Sequence, residues 1–209
     1  MEGMRNWSVV ALVALVALAG CAGGSGQAPT TATTESGPAP VTSSFDEDAE
    51  GWTIVGDAQS REVDPDHVAE GGASGGYLEA TDDVTGGVWY WNASDAYLGD
   101  KSAYAGGTLA FELRQSSTSS QFDATDVILE RGDTRLGYDF GDESTHPGTD
   151  WTGYDLALAA DGWTNLDTEE PASTAEFEQV LADLEGLTIR GEYREGSDTG
   201  GLDSVELTG

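Results

Sequence analysis

Residues 86–114 read GGVWYWNASDAYLGDKSAYAGGTLAFELR, and this stretch decides the fold. It opens with an aromatic run and continues through a loop into the segment 108–114. In that segment the apolar residues Leu109, Phe111 and Leu113 alternate with small, polar or charged residues. Alternation with a period of two residues is typical of a strand with one buried face and one wet face, as in an antiparallel sheet. The stretch therefore predicts two strands joined by a loop.

Outward from this stretch, the sequence predicts further short strands and a single helix. A hairpin is expected over 126–140 and another strand over 151–158, because apolar residues alternate there as well. The helix is expected over 173–186, where Ser173 and Glu176 form a capping box and an apolar stripe follows at helical spacing. Several short strands with one helix predict an all-β sandwich.

The order of these motifs resembles the laminin B domain, also called laminin domain IV type A. The resemblance begins with the aromatic run 88–91, YLGD at 97–100 and S-x-Y-x-G-G-T-L at 102–109. It continues downstream in DVIL at 126–129, WTGY at 151–154, the helix-like segment, LTIRGEY at 187–193 and GLDSV at 201–205. It covers roughly residues 45–208. The resemblance implies a jelly-roll sandwich similar to the galactose-binding-like fold. It says little about function, because that family carries no agreed catalytic residues.

Charge limits the classes of partner. The chain of 209 residues has 39 acidic and 8 basic side chains, for a formal net charge of −31. Such a surface repels nucleic acid and anionic lipid headgroups, so neither is expected as a partner. Self-repulsion destabilises the compact state at low salt, whereas a Debye length of about 3 Å at 1 M salt removes this cost. The composition therefore predicts adaptation to a salt-rich environment.

The N-terminal region predicts export and attachment to a membrane. Residues 1–21 have a basic start and a short apolar run, as in a signal peptide, and they end in LAGC. This ending resembles a lipobox, in which Cys21, the sole cysteine, would carry the lipid. Residues 22–42 are rich in Gly, Ala, Pro, Ser and Thr and are expected to form a disordered stalk. The folded domain is expected to span 43–209.

Acidic residues cluster near the first predicted strand, and carboxylates of this kind are ligands of calcium. The spacing of these carboxylates matches the start of an EF-hand loop, but the flanking residues predict strands and not helices, so an EF-hand is rejected. Galactose-binding-like domains often hold a structural calcium between the first-strand loop and an acidic residue near the last strand. By position, the resemblance implies Asp46, Glu47, Asp48 and Asp203 as ligands of Ca²⁺, which is the one cofactor considered.

The aromatic run supplies the candidate ligand-binding residues. Tyr90 has opposite parity to Trp89 and Trp91, so one set faces the core and the other is available to stack on a sugar ring. Either assignment is open from sequence alone. The sequence Asn92-Ala93-Ser94 is an acceptor for N-linked glycosylation, and a surface loop is expected there.

Two weaker signals are interpreted as structural. The match to G-x-S-x-G at 72–76 lacks the preceding strand and following helix of a nucleophile elbow, so a turn is expected. The two histidines, His67 and His146, lie in polar segments and are expected to be exposed. The sequence thus predicts a non-catalytic, extracytoplasmic, lipid-anchored module that binds a carbohydrate or matrix-type ligand. The alternative is an adhesive or structural envelope protein that acts through contacts with other proteins, and an enzyme ranks third.

Overall fold

The computed structural model describes residues 37–56, 63–82 and 86–209. The predictions for the signal peptide, Cys21 and most of the stalk lie outside these residues. In the described part the strands are β1 (Val41–Ser43), β2 (Thr53–Gly56), β3 (Asp66–Val68), β4 (Tyr77–Asp82), β5 (Trp89–Asn92), β6 (Thr108–Gln115), β7 (Val127–Arg131), β8 (Thr134–Tyr138), β9 (Thr152–Ala157), β10 (Trp163–Asn165), β11 (Glu170–Pro171), β12 (Gly186–Arg190) and β13 (Asp198–Thr208). One α-helix, α1 (Thr174–Leu181), and two short 3₁₀ helices (Asp95–Tyr97 and Ser102–Tyr104) complete the structure.

The strands form two antiparallel sheets. The first has the order β3-β4-β13-β6-β9, with β1 also paired to β13. The second has the order β11-β10-β8-β7-β12-β5-β2. Strand β13 is the centre of the first sheet, since it pairs with β1, β4 and β6, and its register with β6 shifts between Asp203 and Glu206. This arrangement confirms the predicted all-β sandwich.

The core lies between the inner faces of the two sheets. On β6, Leu109, Phe111 and Leu113 are buried, as their alternation predicts. On β5, Trp89 and Trp91 also point inward, and their rings meet edge to face with centroids 4.9 Å apart. Large aromatic side chains thus supply much of the buried apolar surface that stabilises the domain.

The predicted helix is confirmed, together with its cap. The Ser173 hydroxyl accepts the backbone N–H of Glu176, while the Glu176 carboxylate accepts the backbone N–H of Ser173. Phe177, Val180 and Leu181 bury the apolar face of α1 against the sandwich. The α-helix ends earlier than expected, because its C-terminal cap is Ala182 and Gly186 already belongs to β12.

Three boundaries differ from the prediction. Residues 41–42, assigned to the stalk, belong to β1, whose pairing with β13 holds them in the sheet, so the domain begins before residue 43. Strand β3 was not among the predicted strands, because its short polar sequence gives no alternation to detect. Asn92 lies at the end of β5, between β2 and β12, and not in a loop. Across the described residues, no helix is both long enough and apolar enough to cross a bilayer.

Candidate functional site

The three aromatic candidates on β5 lie on opposite faces of the strand. Trp89 and Trp91 are 1% and 0% exposed, so their prediction as ligand-binding residues is wrong and they are core residues. Tyr90 lies on the outer face of the second sheet, half-buried, and its hydroxyl donates to the Thr125 carbonyl at 3.1 Å. Burial raises the pKa of Tyr90. Only Tyr90 of the three is placed where a ligand could touch it.

The predicted calcium ligands do not assemble into a four-carboxylate site. Asp46, Glu47 and Asp48 are exposed, whereas Asp203 is completely buried. No group of three or more His, Cys, Asp or Glu side chains is placed to hold a metal within the residues that the structure describes. Because Ca²⁺ takes about six to eight oxygen ligands, these residues do not fit the implied site. Calcium binding by the protein stays a prediction.

Asp203 has a different role, which is visible in its contacts. Its Oδ2 accepts a hydrogen bond from the backbone N–H of Ser74 at 3.0 Å. Its Oδ1 accepts one from the backbone N–H of the adjacent Ser204 at 2.6 Å. Burial raises the pKa of Asp203, and these N–H bonds act in the opposite direction. Asp203 therefore anchors the turn 72–75, which closes through Gly72 N–H to the Gly75 carbonyl at 2.9 Å. The interpretation of G-x-S-x-G as a turn is confirmed.

The exposure predicted for the histidines is wrong. His67 is half-buried, and its Nε2 lies 2.7 Å from the Phe45 carbonyl. The His146 side chain is fully buried against the Tyr193 ring, with centroids 5.3 Å apart. Burial, followed by the nearby Arg190 charge, lowers the pKa of His146. Tertiary packing of the loop over the sandwich covers residues that are polar by sequence.

A further group of side chains lies on the outer face of the first sheet, where all but the buried Tyr77 are partly exposed. We call Tyr77, Arg114 and Trp151, with Glu79, the aromatic–arginine cluster. The Arg114 guanidinium carbon lies 4.3 Å from the Tyr77 ring centroid and 4.8 Å from that of Trp151. The two rings meet edge to face at 5.4 Å. The cation thus packs against both aromatic rings, an arrangement that stabilises it by cation–π attraction.

Hydrogen bonds fix the geometry of this cluster. Arg114 Nη2 donates to the Tyr77 hydroxyl at 2.5 Å and lies 3.5 Å from Glu79 Oε2. The Tyr77 hydroxyl in turn donates to Glu79 Oε2 at 2.9 Å. Trp151 Nε1 donates to the Gly71 carbonyl at 3.1 Å, which joins the ring to the loop before β4. The side chains are therefore positioned in advance of any ligand.

The cluster borders an open polar cavity of about 210 Å³. The cavity is lined by Glu79, Arg114, Gln115, Ser116, Thr149 and Thr199. The side chains of Arg114 and Glu79 are 29% and 34% exposed, so both reach solvent beside the half-buried ring of Trp151. The arrangement offers a ring edge or face, one guanidinium, one carboxylate and several hydroxyls to a neutral polar molecule.

Local sequence explains why each side chain points outward. Arg114 has opposite parity to buried Leu113 on β6, and Glu79 has opposite parity to buried Leu78 on β4. Between them on β13 lies Gly201, where an added Cβ would be 2.9 Å from Trp151 Cη2 and 3.0 Å from Arg114 Cγ. The absence of a side chain on Gly201 lets the ring and the guanidinium lie close to the sheet.

Sequence reasoning did not identify this cluster. The alternation along 108–114 predicts that Arg114 faces solvent, but it gives no neighbour for that side chain. Tyr77 and Trp151 each lie at the start of a strand, and nothing in their local sequence distinguishes them from core aromatics. Only the pairing of β4, β13, β6 and β9 brings the three together.

The two-sheet sandwich and its family together define this chain as an extracellular binding module. The profile of the family Laminin B (Domain IV) matches residues 90–209, and the chain belongs to that family. A "Basement membrane proteoglycan" of Caenorhabditis elegans is 25% identical over 131 residues, which are 60% of this chain. The match spans only 4% of that relative's length.

Solved structures show the same fold. The "L4b Domain of Human Laminin alpha-2" superposes with a TM-score of 0.64 at 13% identity and covers 80% of this chain and 97% of its own. A family 11 carbohydrate-binding module of a cellulosomal cellulase of Clostridium thermocellum gives a TM-score of 0.55 at 16% identity, covering 83% and 96%. A second structure of a family 11 module, bound to a β-1,3-1,4-mixed-linked tetrasaccharide, gives 0.54 at 16% identity, covering 81% and 95%. At these identities the likeness concerns the fold alone.

Proposed function

We propose that this protein is a lipid-anchored, non-catalytic module that binds a neutral carbohydrate at the aromatic–arginine cluster. The observation that carries the proposal is the half-exposed Trp151 ring, which is fixed by Arg114 and Tyr77 beside a cavity of polar side chains. Aromatic rings stack on the apolar face of a sugar, while a few placed polar groups select its hydroxyls. The carbohydrate-binding modules of the same fold support this choice of ligand class.

Charge favours a neutral ligand over an anionic one. Arg114 is the cation of the cluster, and Glu79 already neutralises it at 3.5 Å. At low salt, the net charge of −31 on the whole chain would also repel a sulfated or uronate-rich polymer on approach. We also propose that this charge reflects a salt-rich setting, in which the repulsion within the domain is screened.

Replacing Trp151 with alanine is expected to abolish or greatly weaken glycan binding. The substitution removes the stacking surface but leaves the core intact, since Trp151 lies on the outer face. Affinity electrophoresis of the domain 37–209 through gels with neutral or sulfated polysaccharides, at molar salt, measures the loss. We expect the parent to be retarded by a neutral polysaccharide and Trp151→Ala to migrate freely.

A matched control lies on the opposite sheet. Tyr90→Ala also removes a half-buried aromatic side chain, and it is expected to leave retardation unchanged. Loss of binding in Tyr90→Ala with retention in Trp151→Ala would move the site to the second sheet. If no polysaccharide retards the parent, the carbohydrate proposal fails and the alternative, contact with another protein, is favoured.

The anchor proposal has its own test. Cys21→Ser removes the thiol that would carry the lipid, so the variant is expected to appear in the culture medium or to keep its unprocessed signal peptide. Fractionation of cells into membrane and medium, followed by immunoblotting, measures this. A variant that remains in the membrane fraction as fully as the parent would show that Cys21 does not attach the protein.

The cluster lies at one end of the first sheet. The described chain begins beside its own last residue: a Cβ added at Gly209 would be 2.5 Å from Pro38 Cγ. On β13, Thr208 at this end pairs with Thr108, whereas Gly201 pairs with Arg114 at the other end of β6. Arg114 lies six residue steps along β6 from Thr108, which is about 20 Å. The cluster therefore lies at the opposite end of β6 from residues 38 and 209.

A further inference from the structure

The outward-facing positions of β13 follow one another along the first sheet at every second residue, and other parts of the chain cover most of them. Asp203 is completely buried beneath the turn that it anchors. At Gly201, an added Cβ would be 2.9 Å from Trp151 Cη2 and 3.0 Å from Arg114 Cγ, so these two side chains lie over the strand. Thr199 is the next outward position, and it is partly exposed. The open part of this face therefore begins at Thr199.

The polar cavity lies over Thr199, and the aromatic–arginine cluster forms its wall. Thr199, Glu79 and Arg114 all line the cavity. Glu79 on β4 and Arg114 on β6 are the cross-strand neighbours of Gly201, so they mark the boundary between the covered and the open part of the face. The Arg114 side chain packs against both rings of the cluster. A molecule in the cavity is therefore stopped on the side toward Gly201.

A second side of the cavity is closed by the loop before β9. Gln115, at the end of β6, donates its backbone N–H to the Gly148 carbonyl at 2.9 Å, so this loop lies against the strand. The next loop residue, Thr149, lines the cavity. On the two other sides, Thr81 of β4 and Ser197, which precedes β13, are exposed. Because each closed side stands opposite one of these, no straight path leads through the cavity.

The size and the lining of the cavity suit one sugar unit. Its volume of about 210 Å³ is below the range of about 300–1,000 Å³ that is usual for sites of drug-sized ligands. Arg114 offers N–H donors, Glu79 offers a carboxylate acceptor, and Thr199 and Ser116 offer hydroxyls. Several consecutive sugar units would exceed this space, whereas a single unit can use these groups to orient its hydroxyls.

We infer that the cavity takes a single terminal sugar unit of a neutral glycan, so that the protein recognises chain ends and not the interior of a polysaccharide. The inference rests on the proposed carbohydrate-binding function and names the part of the glycan that binds. The terminal unit lies against Arg114, and the remaining chain leaves on an exposed side. An interior unit would need a second exit, through Arg114 and Trp151 or through Thr149.

Saturation-transfer NMR at molar salt tests the inference on the domain 37–209, which contains both sheets. The probes are cellotetraose, galactotetraose and mannotetraose, and the matching polysaccharides are a glucan, a galactan and a mannan in the gels. In a tetrasaccharide that binds, saturation is expected in one terminal ring and not in the two interior rings. The dissociation constants of this tetrasaccharide and of the corresponding disaccharide are expected to differ by less than about threefold, which is about 0.7 kcal/mol.

Two threonines provide a matched pair of variants. Thr81 and Thr199 pair across β4 and β13 with their hydroxyl oxygens 3.0 Å apart, and of the two Thr199 lines the cavity. Each substitution by valine removes one hydroxyl and breaks the same bond between them. Thr199→Val is expected to weaken binding of the tetrasaccharide about threefold to tenfold, as the loss of one hydrogen bond would. Thr81→Val is expected to leave binding unchanged.

The outcomes separate the inference from the function on which it rests. Saturation confined to a terminal ring, with a selective effect of Thr199→Val, supports recognition of chain ends. The inference is overturned, and the carbohydrate-binding function stays, if interior rings are saturated, if affinity rises with each added unit, or if the two valine variants behave alike. The same holds if a polysaccharide retards the parent but its tetrasaccharide does not bind. Absence of binding by all three tetrasaccharides, together with free migration of the parent through every gel, would overturn both.

Discussion

Replacing Arg190 with methionine is expected to lower the free energy of unfolding by about 3–5 kcal/mol at neutral pH. Arg190 is fully buried and lies 3.4 Å from the buried carboxylate of Asp126. It donates to the carbonyls of Glu192, Ala124 and Phe122. Methionine has a similar reach but no donor, so the variant leaves these acceptors and one buried carboxylate without their partner.

The loss of unfolding free energy in Arg190→Met should depend on pH. Burial raises the pKa of Asp126 to about 6, and Arg190 acts against this rise. A carboxyl whose pKa is higher in the folded than in the unfolded state contributes stability when the pH is below its unfolded pKa. This contribution is lost as the pH rises through the folded pKa. Without Arg190 the folded pKa of Asp126 rises further, so the variant gains more stability on acidification. The difference in free energy of unfolding between Arg190→Met and the parent should therefore decrease from pH 8 to pH 5.

Urea unfolding of both proteins across this range, at constant high salt, measures the effect. Arg135→Met is the matched control, because Arg135 pairs with Glu130 at 3.0 Å in an exposed position. An exposed pair contributes about 0–1 kcal/mol, so this control should be nearly neutral at every pH. Equal costs for the two variants, or a gap that widens on acidification, would contradict the role assigned to the buried pair.

Truncating Trp89 to alanine is expected to cost about 3–5 kcal/mol, since it removes one of the largest core side chains and leaves a cavity. The Trp89 ring stacks edge to face on Trp91 and covers Gly191, where an added Cβ would be 1.9 Å from Trp89 Cζ3. Thermal and urea unfolding measure the cost. For the same reason Gly191→Ala is expected to destabilise the domain through overpacking against the ring.

The adjacent residue provides the comparison. Tyr90→Phe keeps the ring on the outer face and loses only the bond to the Thr125 carbonyl, so a cost of about 1 kcal/mol is expected. If Trp89→Ala is as stable as the parent but binds glycan less tightly, then Trp89 contacts the ligand and is not a core residue. Loss of stability with glycan binding retained in the folded fraction agrees with a core role.

Several features of the fold could be predicted because they depend on neighbours in the chain. Alternation along 108–114 gave the burial of Leu109, Phe111 and Leu113, and the capping box gave the start of α1 at Ser173. The order of motifs gave the family. In each case the signal and the structure it specifies lie within a few residues, so sequence spacing is sufficient.

The candidate site could be predicted only in part. Parity showed that Trp89 and Tyr90 face opposite ways, but it left open which face is covered. That choice depends on the first sheet, which packs on the inner face of the second, buries the tryptophans and leaves Tyr90 outside. Asp203 was expected at a metal, yet the loop 72–75 folds over it and supplies backbone N–H donors instead.

By itself, then, the sequence determined the all-β class, the helix cap and the outward direction of Arg114, because the period of a strand or helix fixes which side chains share a face. Only the tertiary structure decided that Tyr77, Arg114 and Trp151 meet and that Arg190 and Asp126 pair in the interior. The physical reason is that cross-strand neighbours are set by the register between distant segments, whereas local periodicity carries no information about which strand lies alongside.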